Sequence, residues 1–305
     1  MKERVDMEGS LVKRKGTFTK LVVNIIFIIY SLMCLIPIWM VLSVSLTHEK
    51  SIITEGYHLF PKDFSLAGYW YAFSGSTSIL NAYKITILVT VVGTILHLLI
   101  TSMLSYAISR PEVRYRNQIA FLVFFTILFN GGLAPYYILI TKYLHLKDTL
   151  FVLIVVLLLS PVHVMIMRNF FKALPDSITE AARIDGSGEF NTFFRIVLPL
   201  STPVLATIGL FIAIAYWNDW FTSALFIENN KLYSLQYLLQ SLLTNIQYLL
   251  SNDSASRSIE KAVGILPGES ARMAACILSI GPIIVMYPVL QRYFVKGLTL
   301  GAVKA

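Results

Sequence analysis

Glu180-Ala181-Ala182-Arg183-Ile184-Asp185-Gly186, followed by Ile196-Val197-Leu198-Pro199, forms a short polar island in a strongly apolar chain. Apolar runs flank it on both sides, so it reads as a water-exposed loop of a membrane protein. An acidic residue, two alanines, a glycine and a later Leu-Pro at set spacings are more than a passive connection needs. Docking of a soluble partner accounts for that much specification.

Composition agrees with the membrane reading. Hydrophobic residues make up 56% of the 305 positions, charged residues only 14%, and mean hydropathy is +0.69. A soluble chain carries about a quarter charged residues. The apolar residues cluster into runs long enough to cross a bilayer, which takes roughly 20 residues each. Six spans are predicted, at 21–46, 85–108, 119–141, 149–168, 200–222 and 274–293. They are helices, because a spanning segment must satisfy its own backbone in lipid. The runs are continuous rather than alternating, which excludes a barrel. The expected fold class is therefore all-α, a single polytopic bundle over 1–305 rather than two soluble domains. The run at 21–46 follows Lys13, Arg14, Lys15 and Lys20 and is too long for a signal-peptide core, so it reads as a retained anchor. Cys34 and Cys276 both fall in apolar runs and read as packing residues, with no disulfide framework.

Basic residues set the orientation. With the N-terminus inside, sixteen of the 25 Lys and Arg fall on inner segments and nine on the outer ones, although the outer segments are longer. Both termini then lie in the cytoplasm of a cell membrane. Residues 1–20 form a cytoplasmic segment, 169–199 the inner loop that carries the island, and 223–273 the longest outer loop. The net charge of +8 reflects basic inner loops against anionic lipid and calls for no nucleic acid. In the outer segment 47–84, the Tyr- and Trp-rich stretch 64–73 predicts an interfacial helix.

Within the island, Ser177 and Glu180 have the spacing of a capping box, and Gly186 suits a left-handed helix stop. Ser187 is expected to cap a second helix through Phe190, Phe193, Phe194 and Ile196, with Pro199 at the entry to the next span. Ala181 and Ala182 are expected to offer a small, flat face to a partner's backbone, with Glu180 and Asp185 adding negative charge beside it. Residue by residue a plainer reading exists: Glu180 caps, the alanines favour helix, the phenylalanines anchor to lipid. The pattern as a whole argues for docking.

That pattern, matched at Glu180, Ala181, Ala182, Gly186, Ile196, Leu198 and Pro199, resembles the coupling-loop signature of permeases from binding-protein-dependent ABC importers. Trp217-Asn218-Asp219-Trp220 and the ending Gln291-Arg292-Tyr293-Phe294-Val295-Lys296-Gly297-Leu298-Thr299-Leu300-Gly301-Ala302-Val303-Lys304 are similar to the maltose-type, carbohydrate-uptake branch. Phe129-Asn130-Gly131-Gly132-Leu133-Ala134-Pro135 resembles its subgroup for complex oligosaccharides or polysaccharides and differs from simple maltose permeases. The resemblance implies a coupling helix between spans four and five, with Asp185, Leu198 and Pro199 in the coupling loop. It implies a second homologous permease, a cytosolic ATPase dimer and an extracellular sugar-binding protein as partners. It also implies alternating access, in which ATP and Mg are used by the ATPase and this chain is a non-catalytic subunit. No G-x-x-x-x-G-K-[ST] phosphate loop occurs in the chain, in keeping with that division of labour.

Polar groups inside the spans are functional candidates by default. Asp219 is one; Asn218 offers donors and an acceptor to sugar hydroxyls, and Tyr216, Trp217 and Trp220 offer flat faces to a pyranose ring. The alternative is an aromatic belt with a solvated Asp219. Asn130-Gly131-Gly132 interrupts the third span, either lining a binding site or permitting tight helix packing. Asn252, Asp253, Ser254 and Ser256, in a polar outer stretch, are candidate contacts for the binding protein or a plain surface loop. His97 is expected to bond a neighbouring Ser or Thr, and His163 to satisfy backbone freed by Pro161. Neither has Cys, Asp or Glu at ligand spacing, so no metal is expected.

Two other classes compete. An intramembrane enzyme needs a clustered nucleophile and base, and Glu180 and Asp185 sit in a loop far from His97. A self-sufficient secondary transporter of a polar solute needs inverted repeats and midplane ionisable groups, for which only His97 stands.

Overall fold

The computed structural model describes residues 2–74, 78–129, 131–251 and 268–284. All their regular elements are helical, as expected, and the one β contact among them is an isolated bridge between Thr47 and Phe64. Asn130, the 252–256 candidates and the 291–304 ending lie outside the described residues. The chain divides into two units, Met1–Ala72 with Tyr248–Ile277 and Phe73–Gln247 with Leu278–Ala305.

In the first unit, α1 (Lys2–Ser45) contains the first span, Lys20–Ser45, with Pro37 inside the helix. Residues 20–39 expose their side chains all round, as an apolar helix does where lipid or another subunit covers it. Next come α2 (Glu49–Glu55) and α3 (Ala67–Ser74). α3 is a helix where one was expected over 64–73, starting later because Phe64 is taken up in the bridge. The carboxylate of Glu49 is buried and accepts from the N–H groups of Glu269 and Ser270, at 2.9 Å each, and from the Ser270 hydroxyl at 2.7 Å. Those N–H groups open the helix at 269–284 and have no partner within it. Gly68 on α3 permits this arrangement, since a Cβ there would lie 2.7 Å from the Ser270 carbonyl.

The second unit is organised on α4 (Ser78–Ser109), which contains the span Ile79–Ser109. Thirty-one helical residues reach about 46 Å, more than the roughly 30 Å hydrocarbon layer, so α4 extends beyond the apolar slab. Thr86, Thr90, His97, Thr101, Ser102 and Ser105 are buried along one stripe, while Ile87, Val91, Ile95 and Leu99 are exposed. Small and polar groups facing the bundle, with apolar groups outward, is the packing logic of lipid rather than water.

The fourth span is not the continuous helix expected over 149–168. It breaks between α7 (Leu150–Val155) and α8 (Pro161–Lys172). Pro161 occupies the first turn of α8 and holds Ser160 extended, at φ −115° and ψ 119°. The break frees two carbonyls. Leu157 loses its helical donor because residue 161 is proline, and His97 Nδ1 donates to it at 2.8 Å. The Leu158 N–H turns to Val155, and Tyr216 donates its hydroxyl to the Ile154 carbonyl at 2.7 Å. His97 thus bonds a backbone carbonyl rather than a Ser or Thr. His163 bonds His97, Nδ1 to Nε2 at 3.0 Å, rather than the freed backbone.

The third span is bent by 116° between α5 (Arg116–Leu128) and the stretch Leu133–Tyr143, which runs from α6 (Leu133–Ile138) into a π-turn. Gly132 has φ +85°, and a Cβ on Gly131 or Gly132 would meet nothing within 4 Å. These glycines interrupt the span, and among the described residues nothing packs against the Cβ position of either. The fifth span is α12 (Thr202–Asn218), preceded by α9 (Asp176–Ile184), α10 (Glu189–Thr192), a π-turn and α11 (Leu198–Leu200). The stretch Glu189–Leu200 meets α12 at 79°. The segment expected as an outer loop, 223–273, is largely helical where described, with the end of α13 (Phe221–Phe226) and α14 (Leu235–Ser251). Among the described residues two helices are long and apolar enough to span alone, or up to four with each bent pair counted once, and the predicted sixth span, 274–293, lies partly outside those residues.

Replacing Glu49 by Ala strands the donors at the start of the 269–284 helix and should cost about 1–2 kcal/mol. A lower thermal midpoint of the purified protein is expected for Glu49→Ala, with a smaller drop for Glu49→Gln. Equal midpoints for Glu49→Ala and wild type would show the cap contributes nothing.

Candidate functional site

The polar island folds as the short helix α9, a glycine turn and the α10–α11 stretch. The helix starts earlier than the Ser177 capping box suggests: Pro175 holds the N-cap position, with no side-chain cap bond, and Ser177 lies inside the first turn. Its end is as expected. Gly186 has φ +75°, its N–H bonds the Arg183 carbonyl at 2.9 Å, and the Ser187 N–H bonds the Ala182 carbonyl at 2.9 Å. This is the paired Schellman closure. Gly188, not Ser187, holds the N-cap of α10; the Ser187 hydroxyl instead bonds Asn191 and Thr192.

The two alanines do not share a face. Ala182 is 3% exposed and packs inward with Thr179, while Ala181 is exposed. Ser177, Glu180, Ala181 and Ile184, at helical spacing, form the exposed face. Ile184 is 86% exposed, which is unusual for an isoleucine on a polar loop and is the feature sequence reading missed. Asp185 and Gly186 are exposed beside it.

The inward face is tied to the end of α4. Arg110 donates to the Thr179 hydroxyl at 2.9 Å, and its guanidinium lies 5.6 Å from the Tyr106 ring centroid. Arg183 pairs with Glu112 at 2.8 Å and with Glu189 at 2.9 Å. Tyr106 donates its hydroxyl to the other Glu189 oxygen at 3.1 Å. Behind this network, the Tyr106 ring contacts Phe171 of α8 and Phe193, with centroids 6.0 and 5.1 Å away. α9 is therefore held by α4 through charge and reaches the bundle through α8 directly. A cavity of about 310 Å³ opens beside the network, bounded by Met103, Ala107, Phe190 and Phe193. Leu198 and Pro199 continue the stretch in α11, where Pro199 sits in the first turn.

The residues expected to face substrate separate. Tyr216 and Trp217 are core residues: Tyr216 braces the fourth span, and Trp217 Nε1 donates to the Ser279 carbonyl at 3.1 Å. Their rings are packed and offer no open face to a sugar. Asp219, half-exposed, accepts from the Thr222 N–H at 3.1 Å and so caps the turn into α13. Asn218 and Trp220 are exposed. Among the described residues no group of three His, Cys, Asp or Glu could hold a metal ion.

Partial burial alone would push the Glu112 carboxyl up, but its own backbone N–H, Arg183 and Arg110 outweigh that and hold it below the ordinary carboxylate range. A depressed native value means the tether contributes stability above the unfolded-state value and loses it as pH falls through the folded one. Both side chains are more than a third exposed, so screening keeps the effect small. Glu112→Gln should lower the thermal midpoint by a few degrees at most at neutral pH. The two proteins should converge as the solution is made more acid than the carboxylate range; a constant gap would show that charge is not what Glu112 supplies.

A family model for the inner membrane component of binding-protein-dependent transport systems matches residues 8–300. The chain is 36% identical over 270 residues to Protein LplC of Bacillus subtilis, covering 88% of this chain and 89% of that one. It is 34% identical over 278 residues to the polygalacturonan/rhamnogalacturonan transport system permease protein YtcP of the same organism, covering 91% and 95%. It also superposes, with a TM-score of 0.77 and 28% identity over 92% of its length and 98% of the other's, on a chain from the crystal structure of a bacterial ABC transporter involved in the import of the acidic polysaccharide alginate. With a match across nearly its whole length, this chain belongs to the family of inner membrane components of binding-protein-dependent transport systems.

Proposed function

We propose that this chain is one permease subunit of an importer that takes up oligosaccharides or polysaccharide fragments by alternating access. Its similarity to a polygalacturonan/rhamnogalacturonan permease and to an alginate importer supports that substrate class. Family membership weighs against a self-sufficient secondary transporter. The partners are a second homologous permease, a cytosolic ATPase dimer that uses ATP and Mg, and an extracellular sugar-binding protein. This chain is non-catalytic, carries no cofactor, and has both termini in the cytoplasm, consistent with sixteen of its 25 basic residues on that side.

The observation that carries the reading is α9. An almost fully exposed Ile184 beside Glu180 and Ala181 is the kind of apolar anchor that fills a partner's groove, with Glu180 and Asp185 meeting basic residues at its edge. When the ATPase dimer closes on ATP, α9 moves with it. The Arg183–Glu112 and Arg110–Thr179 contacts draw the end of α4 along, while α8 follows through the chain itself. The spans then swing a central cavity of the transporter from inward-open to outward-open, the binding protein releases sugar into it, and hydrolysis resets the cycle. Asn218, Trp220 and Asn130 are the proposed substrate-path residues, with Asp219 capping the turn beside Asn218 and Trp220. Asn252, Asp253, Ser254 and Ser256 are the proposed contacts to the binding protein.

Ile184→Asp and Glu180→Lys should each reduce co-purification of the ATPase with the permease pair, and sugar uptake, by about tenfold or more, the scale of losing one interface hot spot. An ATPase retained in full, with uptake unchanged in both variants, would remove the docking role. Uptake of defined oligosaccharides by cells lacking this gene identifies the glycan.

A further inference from the structure

Between the docking helix and the rest of the bundle stands the break in the fourth span. α8 leads directly into α9 through residues 173–175. Along its length α8 is fastened to α4 by backbone carbonyl bonds. Arg168 Nε donates to the Ile108 carbonyl at 3.2 Å, Ser105 donates to the Val164 carbonyl at 3.0 Å, and His97 donates to the Leu157 carbonyl at 2.8 Å just above the first turn of α8. The last bond differs in kind. The first two join elements that are already helical; the third replaces a bond that Pro161 makes impossible. Without it the Leu157 carbonyl has no donor of its own, and the five residues 156–160 lose a constraint at the upper end of α8.

The donor is itself fixed. A carbonyl only accepts, so His97 Nδ1 carries a hydrogen. In the neutral ring Nε2 is then an acceptor, and His163 Nδ1, 3.0 Å away, supplies the hydrogen. His163 lies two residues beyond Pro161, so the element that needs the brace also orients the residue that provides it. On the opposite side Tyr216 holds the Ile154 carbonyl, and its ring fits against α4 only because residue 93 is glycine, where a Cβ would lie 2.5 Å from the ring.

We propose that His97 is a positioning residue for energy coupling, which stiffens the break before Pro161 so that displacement of α9 and α8 is passed to the neighbouring spans instead of being absorbed in residues 156–160. This rests on the reading of α9 as the ATPase-docking helix. His97 contacts neither the ATPase nor the sugar; it acts through the Leu157 carbonyl.

The test is a double-mutant cycle in the complete importer, reconstituted in proteoliposomes and read as sugar taken up per ATP hydrolysed. His97→Leu removes the donor; Pro161→Ala gives the Leu157 carbonyl a helical N–H of its own. We expect His97→Leu to lower uptake per ATP by about tenfold, the scale of leaving one buried acceptor unpaired, with ATPase retention unchanged. His97→Gln, which keeps a donor, should lose less. Pro161→Ala alone should cost less than His97→Leu, and combined with it should recover most of the yield. Uptake per ATP unaltered in His97→Leu overturns the proposal, and so does a double variant no better coupled than His97→Leu. Should His97→Leu fail to assemble, His97→Met, also without a donor, takes its place with the same expectations. Loss of the ATPase from the complex reads instead as a docking failure, so the two proposals fail in different measurements.

Discussion

A carbonyl in hydrocarbon has no water to turn to, and this chain places a proline where one carbonyl of its fourth span needs a partner. Pro161 removes the donor of Leu157, and the break that follows also frees Ile154. Spanning segments tolerate such breaks only where neighbours re-satisfy the backbone. Here the neighbours are His97 on α4 and Tyr216 on α12, and much of the second unit follows from that need. α4 must present a polar stripe inward, Gly93 must stay small beside the Tyr216 ring, and His163 must meet His97.

The island solves a different problem. It leaves one face of a nine-residue helix open, although so short a helix is marginal by itself. Its termini are tied off locally by Pro175 at the start and the Gly186 closure at the end. It is held by Arg110 on Thr179 and by Glu112 and Glu189 on Arg183, and an aromatic contact of Tyr106, Phe171 and Phe193 lies behind. Surface ion pairs add little stability singly. Their value here is geometric: three partners fix the orientation of α9 so that Ile184 points away from the chain.

Much of this was legible in the chain. Apolar runs longer than a bilayer is thick specify spanning helices whatever surrounds them, and the Gly186 turn is a local matter of positive φ. Errors arose where neighbours decide. The fourth span reads as continuous because its composition is uniformly apolar, and Pro161 alone does not say whether a helix kinks or parts. Tyr216 and Trp217 read as open faces because an aromatic residue near a helix end serves a belt, a binding site or a core equally well. Glu112 stood about 70 positions from Arg183, and Arg110 as far from Thr179, in a chain where basic residues already had an explanation, so nothing marked these pairs.

The sequence by itself determined the membrane character of the chain, the helical class, and the position and glycine-closed end of α9, because transfer free energy and turn stereochemistry act over a few residues. Only the tertiary structure decided which alanine of the pair turns inward, which side chains answer the carbonyls of Ile154 and Leu157, and which acids hold Arg183. Those choices depend on distances between residues remote in the chain, and no local pattern carries them.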